Sequence, residues 1–129
     1  MLKNNLIAII AISFTVVGTM WAVRNFIASN NEIAITGNGG ILLIAKDNLF
    51  NSTNPDIHAK AGIPTKVTIV NKDFVRHDFI VDKLNINTAY LSPEQDFTTA
   101  IASKNPGTFE YYCSLHPMTM RGKIMIKGV

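Results

Sequence analysis

The stretch TFEYYCSLHPMTMRGKIMIK, residues 108–127, reads as two β-strands joined by a short loop. Successive side chains of a strand point to opposite faces, so Phe109, Tyr111 and Cys113 share one aromatic, core-facing side. The loop SLHPMTM follows, and Gly122 precedes a second strand-like run, KIMIK. The single cysteine of the chain is therefore expected at the end of a strand, where the chain leaves a sheet.

The sequence on the N-terminal side of this stretch also reads as short strands separated by turns. Apolar and β-branched runs of strand length are ILLIAK, KVTIVN, HDFIVD and FTTAIA, at residues 41–46, 66–71, 77–82 and 97–102. Polar, Gly-rich and Pro-rich turn signals separate them. No long segment after residue 28 shows an apolar period of 3.6 residues. The pattern predicts an antiparallel β-sandwich or barrel over residues 37–129.

Residues 6–23, LIAIIAISFTVVGTMWAV, carry no charge. As a helix they would be about 27 Å long, close to the thickness of the hydrocarbon core of a bilayer. We predict an uncleaved transmembrane signal anchor, preceded by a tail of residues 1–5 and followed by a linker of residues 24–36. A cleaved signal peptide would need small residues before a cleavage site, which we do not find, and a buried soluble helix would carry a polar stripe.

The charges of the chain suggest an orientation and exclude one class of partner. Lys3 and the terminal amino group precede the apolar segment, which favours an exported domain that faces the periplasm or the cell exterior. The formal net charge is only +3, and no basic run with interleaved aromatic residues occurs. We expect neither a nucleic acid nor a small-molecule substrate as a partner.

A lone cysteine in an exported domain cannot form an internal disulfide, and an exposed thiol there would be oxidised. Cys113 is therefore a buried apolar residue, a partner in an intermolecular disulfide, or a thiolate bound to a metal. The spacing Cys113-x2-His116-x3-Met120, with His77 upstream, favours the metal. One thiolate, two imidazoles and one thioether are the donors of a blue-copper electron-transfer site. Met118 is the alternative thioether.

This donor set suits a metal that changes its oxidation state. Sulfur donors favour Cu(I), and imidazole binds both Cu(I) and Cu(II). A site with a geometry between the preferences of the two ions changes little on electron transfer. Ligation would also protect the thiolate from oxidation.

The segments HDFIVD, PGTFEYYCSLHP and MRGKIMI resemble the cupredoxin family, in particular the amicyanin-like and plastocyanin-like small blue copper proteins. The resemblance covers about residues 39–129 and implies a Greek-key β-sandwich with one type 1 copper ion. It places His77, Cys113 and His116 on the equatorial ligand positions and Met120 on the axial position.

Two features depart from the amicyanin pattern. Three residues, rather than two, separate His116 from Met120, as in azurin-like loops. Asp78 stands where the family often has an asparagine whose side chain ties the two ligand loops together. An aspartate accepts the same backbone hydrogen bond but cannot donate one. We expect a backbone N–H group, such as that of Ser114 or Asp78, to reach the thiolate sulfur.

The sequence thus predicts a membrane-tethered type 1 copper protein that carries single electrons and catalyses no reaction itself. Its partners would be redox proteins, in particular membrane-bound electron-transfer complexes near the anchor at residues 6–23. A copper chaperone or storage protein with the same ligands is the alternative. Additional clusters of Met and His residues would support that alternative. A copper oxidase or nitrite reductase would need more than the three histidines of this chain. A sandwich that has lost its metal is the structural alternative.

Overall fold

The computed structural model describes residues 34–35 and 39–129. The predicted tail at residues 1–5 and the predicted transmembrane anchor at residues 6–23 lie outside the described residues, as does most of the linker at residues 24–36. Among the residues that are described, no helix has the length and apolar character needed to cross a bilayer.

The described residues form ten strands and one short 3₁₀ turn, Asp82–Leu84. In chain order the strands are β1 Ala34–Ile35, β2 Ile41–Lys46, β3 Leu49–Phe50, β4 Ile57–Lys60, β5 Thr65–Asn71, β6 Ile80–Val81, β7 Ile86–Asn87, β8 Asp96–Ile101, β9 Gly107–Tyr112 and β10 Arg121–Lys127. One sheet has the order β1-β2-β5-β8, with β3 paired to β2, and the other has the order β4-β10-β9-β6-β7.

Alternation along the strands builds one shared core. In β2 and β10 every second side chain is buried, and these include Leu43 and Ala45 from the first sheet and Ile124 and Ile126 from the second. Buried apolar side chains from both sheets belong to a single hydrophobic cluster. The alternating pattern is the one expected of strands with one face toward a core and one toward solvent.

The all-β sandwich expected from the sequence is confirmed. The predicted strands at residues 41–46, 66–71, 97–102, 108–113 and 123–127 are present, with ends that shift by one or two residues. The expectation of antiparallel pairing is wrong for two pairs, because β2 runs parallel to β5 and β4 runs parallel to β10. Parallel neighbours arise because the chain passes from one sheet to the other between these strands.

The predicted strand at residues 77–82 is only partly correct. Ile80–Val81 is the strand, and Asp82 already begins the 3₁₀ turn. His77 pairs with Leu91 in an isolated antiparallel bridge, in which the N–H of His77 donates to Leu91 O at 3.2 Å and the N–H of Leu91 donates to His77 O at 2.7 Å. His77 is therefore held by backbone pairing even though it lies outside a regular strand.

Three aromatic rings anchor the two segments that carry the candidate ligands. Phe50, Phe79 and Tyr111 are mutually in contact, with ring centroids 5.3–5.7 Å apart. Phe79 lies two residues after His77, and Tyr111 lies two residues before Cys113. The Tyr111 hydroxyl also donates to Pro55 O at 2.7 Å. Packed aromatic contacts of this kind fix the backbone from which both ligands project.

Candidate metal centre

The loop of residues 113–120 joins β9 to β10, which are paired with each other along their length. Four backbone hydrogen bonds close it. Cys113 N–H donates to Met120 O at 2.9 Å, His116 N–H donates to Cys113 O at 3.2 Å, and the N–H groups of Thr119 and Met120 both donate to His116 O, at 3.2 and 2.8 Å. Cys113 and Met120, the first and last residues of the loop, are thus joined directly. A short loop with both ends fixed holds its side chains in one arrangement.

A side-chain hydrogen bond also braces this loop from the other sheet. Asn54, in the turn after β3, donates from Nδ2 to Thr119 O at 2.6 Å, and its Oδ1 accepts the Phe50 N–H at 2.9 Å. Asn54 has a positive φ of 50°, a conformation that asparagine tolerates better than most residues. The turn signals in the sequence predict a turn between the strands at residues 41–46 and 66–71, but they do not predict the contact of Asn54 with the ligand loop.

The structure brings three of the predicted ligands together. Cys113 Sγ lies 3.7 Å from His77 Nδ1 and 3.8 Å from His116 Nδ1, and the ligand atoms of the three residues all lie within 4.8 Å of one another. His77 and Cys113 are buried, and His116 is half-buried. The two imidazole rings have their centroids 4.9 Å apart.

These distances fit a metal ion between the three atoms. An ion about 2.3 Å from a thiolate sulfur and about 2.0 Å from an imidazole nitrogen, the distances typical of zinc, would keep the two ligand atoms about 3.7 Å apart at a trigonal angle. The separations of 3.7 and 3.8 Å agree with this value. One thiolate sulfur and two imidazole nitrogens are also donors that favour copper over the hard cations.

The fourth predicted ligand, Met120, is fully buried, whereas Met118 is 85% exposed. Met120 belongs to the same hydrophobic cluster as Cys113 and Tyr111. A thioether in solvent cannot contact a buried ion, so burial favours Met120 over Met118 as the axial donor. The assignment of its sulfur to a metal remains a prediction.

Cys113 is a neutral thiol near pH 7 in the absence of a metal. Burial raises the pKa of the Cys113 thiol above its ordinary value, and the backbone N–H of Asp78, 3.5 Å from Sγ, opposes this in part. The expectation that a backbone N–H near Asp78 reaches the sulfur is confirmed. Because a metal binds the thiolate, its binding would release a proton.

Asp78 ties the two ligand-bearing segments together. It is only 3% exposed, and its carboxylate accepts the Ser114 N–H at 2.6 Å and the Ser114 hydroxyl. Both oxygens therefore accept from the residue that follows Cys113. The aspartate maintains the link expected of an asparagine at this position, and it adds a carboxylate beside the thiol.

Sequence reasoning missed Asp73, whose Oδ2 lies 3.0 Å from His77 Nε2. The hydrogen bond from His77 lowers the pKa of the Asp73 carboxyl below its usual value. An acidic residue four positions before a candidate histidine ligand was the available signal. This signal is weak, because Asp73 lies in a polar segment that reads as an ordinary turn.

The chain belongs to the cupredoxin family, since the model of the cupredoxin-like domain matches residues 9–126. Solved structures with the same fold include the Cu(I) form of an amicyanin variant, with a TM-score of 0.54 and 22% identity, covering 76% of this chain and 89% of that one. A second amicyanin variant, in its reduced Cu(I) form at pH 4, has a TM-score of 0.55 and 23% identity, with the same coverage of both chains. A search of curated proteins gave no match.

The family and the geometry agree on the cofactor. Similar solved structures of amicyanin variants are in a Cu(I) form, and the donor set found here is one thiolate and two imidazoles at the separation that one ion requires. His77, Cys113 and His116 are positioned to bind a single copper ion.

Proposed function

We propose that this protein is a type 1 copper electron carrier that is tethered to a membrane by residues 6–23 and exchanges single electrons with redox proteins outside the cytoplasm. The observation that carries the proposal is the buried group of His77, Cys113 and His116, whose ligand atoms lie within 4.8 Å of one another. The bound copper would supply reversible one-electron chemistry.

The residues around the ion have separate roles in this proposal. Cys113 would provide the thiolate, His77 and His116 would provide the imidazoles, and Met120 would provide a weak thioether contact. Backbone pairing of His77 with Leu91 and the closed loop of residues 113–120 hold the donors still. A rigid set of donors reorganises little between Cu(I) and Cu(II), which is what rapid electron transfer needs.

Electrons would enter and leave at the edge of His116. The side chain of His116 is half-buried, whereas those of His77 and Cys113 are buried. Its neighbours Leu115 and Met118 are exposed apolar side chains, and Pro117 is also exposed. Apolar side chains clustered at the surface are typical of a docking site. A redox partner would therefore dock over His116.

The alternative, a copper chaperone or storage protein with the same ligands, is less well supported. Among the described residues, the His, Cys, Asp and Glu side chains form one group able to hold a metal. Two of its three members are buried, so release of the ion to an acceptor would require the site to open. A copper oxidase would need a second centre, for which that part of the chain offers no further cluster.

The first prediction tests the copper site in the full-length protein, purified in detergent and loaded with Cu(II). We expect an intense visible thiolate-to-copper absorption band and a small copper hyperfine splitting in EPR. Cys113→Ser removes the sulfur and is expected to abolish the band. A matched serine control is Ala102→Ser, which changes an exposed position after β8 and should leave the band unchanged.

Two further measurements separate the parts of the proposal. A reversible one-electron wave in voltammetry distinguishes a carrier from a chaperone, whereas copper loss on the first reduction would favour the chaperone. Host membranes washed with salt and then with detergent test the anchor. Release of the protein by salt alone would contradict a transmembrane segment at residues 6–23.

A further inference from the structure

The buried ring of His77 is held on both sides. Its Nδ1 lies 3.7 Å from Cys113 Sγ, and its Nε2 lies 3.0 Å from Asp73 Oδ2. The side chain of His77 is 1% exposed and that of Asp73 is 13% exposed. The contact is therefore largely shielded from water. A hydrogen bond to a charged group is stronger in such a shielded position than at the surface.

The carboxylate determines which nitrogen of His77 carries the proton. An ionised carboxylate only accepts hydrogen bonds, so the nitrogen that faces it must be the donor. In a neutral ring the other nitrogen is then unprotonated. Nε2 is the donor here, which leaves the Nδ1 lone pair directed toward Cys113 and available to a metal.

Asp73 is itself fixed by the backbone. Its Oδ1 accepts the Phe74 N–H at 2.7 Å, and its Oδ2 lies 3.4 Å from the N–H of Asn48, in the turn between β2 and β3. An aspartate carboxylate is ionised near neutral pH at its ordinary pKa, so it can only accept hydrogen bonds here. Asp73 thus links the segment that holds His77 to the turn between β2 and β3 of the first sheet.

We propose that Asp73 is a positioning residue of the copper site: its carboxylate accepts the Nε2–H of His77, fixes the tautomer that presents Nδ1 to the metal, and lowers the reduction potential by stabilising Cu(II) over Cu(I). The inference rests on the proposed function for its copper part. A carboxylate behind a histidine ligand makes the imidazole a stronger donor, and the loss of such a group commonly weakens metal binding by about 10–100-fold.

The chain offers a matched control for the charge of Asp73. Asp47 precedes Asn48 in the same turn, and it is exposed. Its φ of 53° is one that asparagine tolerates, so Asp47→Asn removes one negative charge close by without straining the turn. Asp73→Asn removes the charge beside His77 and keeps an acceptor oxygen, and Asp73→Ala removes both.

The first experiment uses the copper-free, ¹⁵N-labelled full-length protein in detergent. Long-range ¹H–¹⁵N spectra report the tautomer of His77, and we expect Nε2–H in the wild-type protein and in Asp47→Asn. Asp73→Ala is expected to give a mixture of tautomers. A wild-type ring protonated at Nδ1, or an Asp73→Ala spectrum equal to that of the wild type, would overturn the inference.

The second experiment measures the midpoint potential of each copper-loaded protein. We expect Asp73→Asn to have a higher potential than Asp47→Asn, and each tenfold selective loss of Cu(II) affinity corresponds to a rise of about 59 mV. Equal midpoint potentials in these two variants would show that Asp73 acts only as a nearby charge, which would contradict the inference. Should Asp73→Ala not fold, the comparison of the two asparagine variants decides.

The two experiments separate this inference from the proposed function. If the wild-type protein gives no thiolate-to-copper band, the proposed function and the copper part of the inference both fail. The tautomer of His77 in the copper-free protein still decides whether Asp73 orients the ring. If the band is present and the Asp73 variants behave like Asp47→Asn, the inference alone is wrong.

Discussion

At the scale of single residues, the charge of Asp78 is a distinctive feature of this site. Asp78→Asn preserves the shape of the side chain: the amide oxygen accepts the Ser114 N–H, and the amide nitrogen donates to the Ser114 hydroxyl. The substitution removes a buried negative charge next to His77. Because a negative charge favours Cu(II), we expect the midpoint potential to rise, on the order of 40 mV for about 1 kcal/mol of lost interaction.

Voltammetry of the copper-loaded protein measures this shift, and Asp96→Asn is the control. Asp96 is an exposed carboxylate at the start of β8, where water and salt screen its charge. An unchanged potential in Asp78→Asn would show that the Asp78 carboxylate has no electrostatic effect on the ion. A lost absorption band would show instead that the amide does not maintain the link to Ser114.

The sequence predicted the ligands better than it predicted the groups that support them. The three ligands could be recognised because a thiol and two imidazoles at this spacing have few functions other than metal binding. The structure places His77, Cys113 and His116 together. Asp73 and Asn54 support the site from turns, where aspartate and asparagine are common for local reasons. Their contacts depend on which loops meet in the folded chain, and that information is absent from the local pattern.

At the scale of strands, Gly122 in β10 permits the close approach of Tyr111 in β9. The two residues are directly opposite in the antiparallel pair, and a Cβ atom on Gly122 would overlap the Tyr111 ring, with Cε1 at 2.7 Å and with Cζ and the hydroxyl nearer still. The Tyr111 hydroxyl is held by Pro55 O, so the ring cannot move away without breaking that bond. Gly122→Ala is expected to destabilise the fold by about 1–3 kcal/mol.

Thermal unfolding of the copper-free protein checks this prediction, with Gly128→Ala as the control. An added Cβ at Gly128 meets only an ordinary contact, 3.6 Å from the Pro106 ring. We expect a lower melting temperature in Gly122→Ala and a near wild-type one in Gly128→Ala. Equal melting temperatures would mean that the Tyr111 ring moves aside at little cost.

Strand positions could be predicted from the sequence, but the direction of neighbouring strands could not. Alternation in ILLIAK and KVTIVN identifies which side chains face the core, because the period of two is a local property. The parallel pairing of β2 with β5, and of β4 with β10, depends on the path of the chain between the sheets. The short strands β3 and β7, two residues each, are too brief to show a period.

At the scale of the whole domain, the metal site joins segments that are distant in the sequence. His77 lies 36 residues before Cys113 and meets it only when the sandwich is formed. The site therefore exists in the folded chain and not in the unfolded one, so metal binding adds to the free energy of unfolding. At a free copper concentration of 100 times Kd, this gain would be about 2.7 kcal/mol.

The pH dependence of this gain follows from the thiol. Because burial raises the pKa of Cys113 in the copper-free fold, the thiol contributes stability that is present below the unfolded pKa and is lost as the pH rises through the folded pKa. The copper-loaded fold holds the thiolate and gives up that proton on binding. The stabilisation by copper should therefore increase with pH, by up to about 1.4 kcal/mol per pH unit for one released proton.

Calorimetric unfolding with and without Cu(II) measures this gain directly. The measurements run from about pH 7 up to about pH 8.5, which is the ordinary pKa of cysteine. The free Cu(II) concentration is held constant by a chelating buffer, so that only the protonation of the protein changes. Cys113→Ser is the control, since it lacks the titrating sulfur and should show a smaller gain with little slope over this range. A gain in the wild-type protein that stays constant with pH would mean that copper binds without displacing the thiol proton, and the sulfur would then not be a ligand.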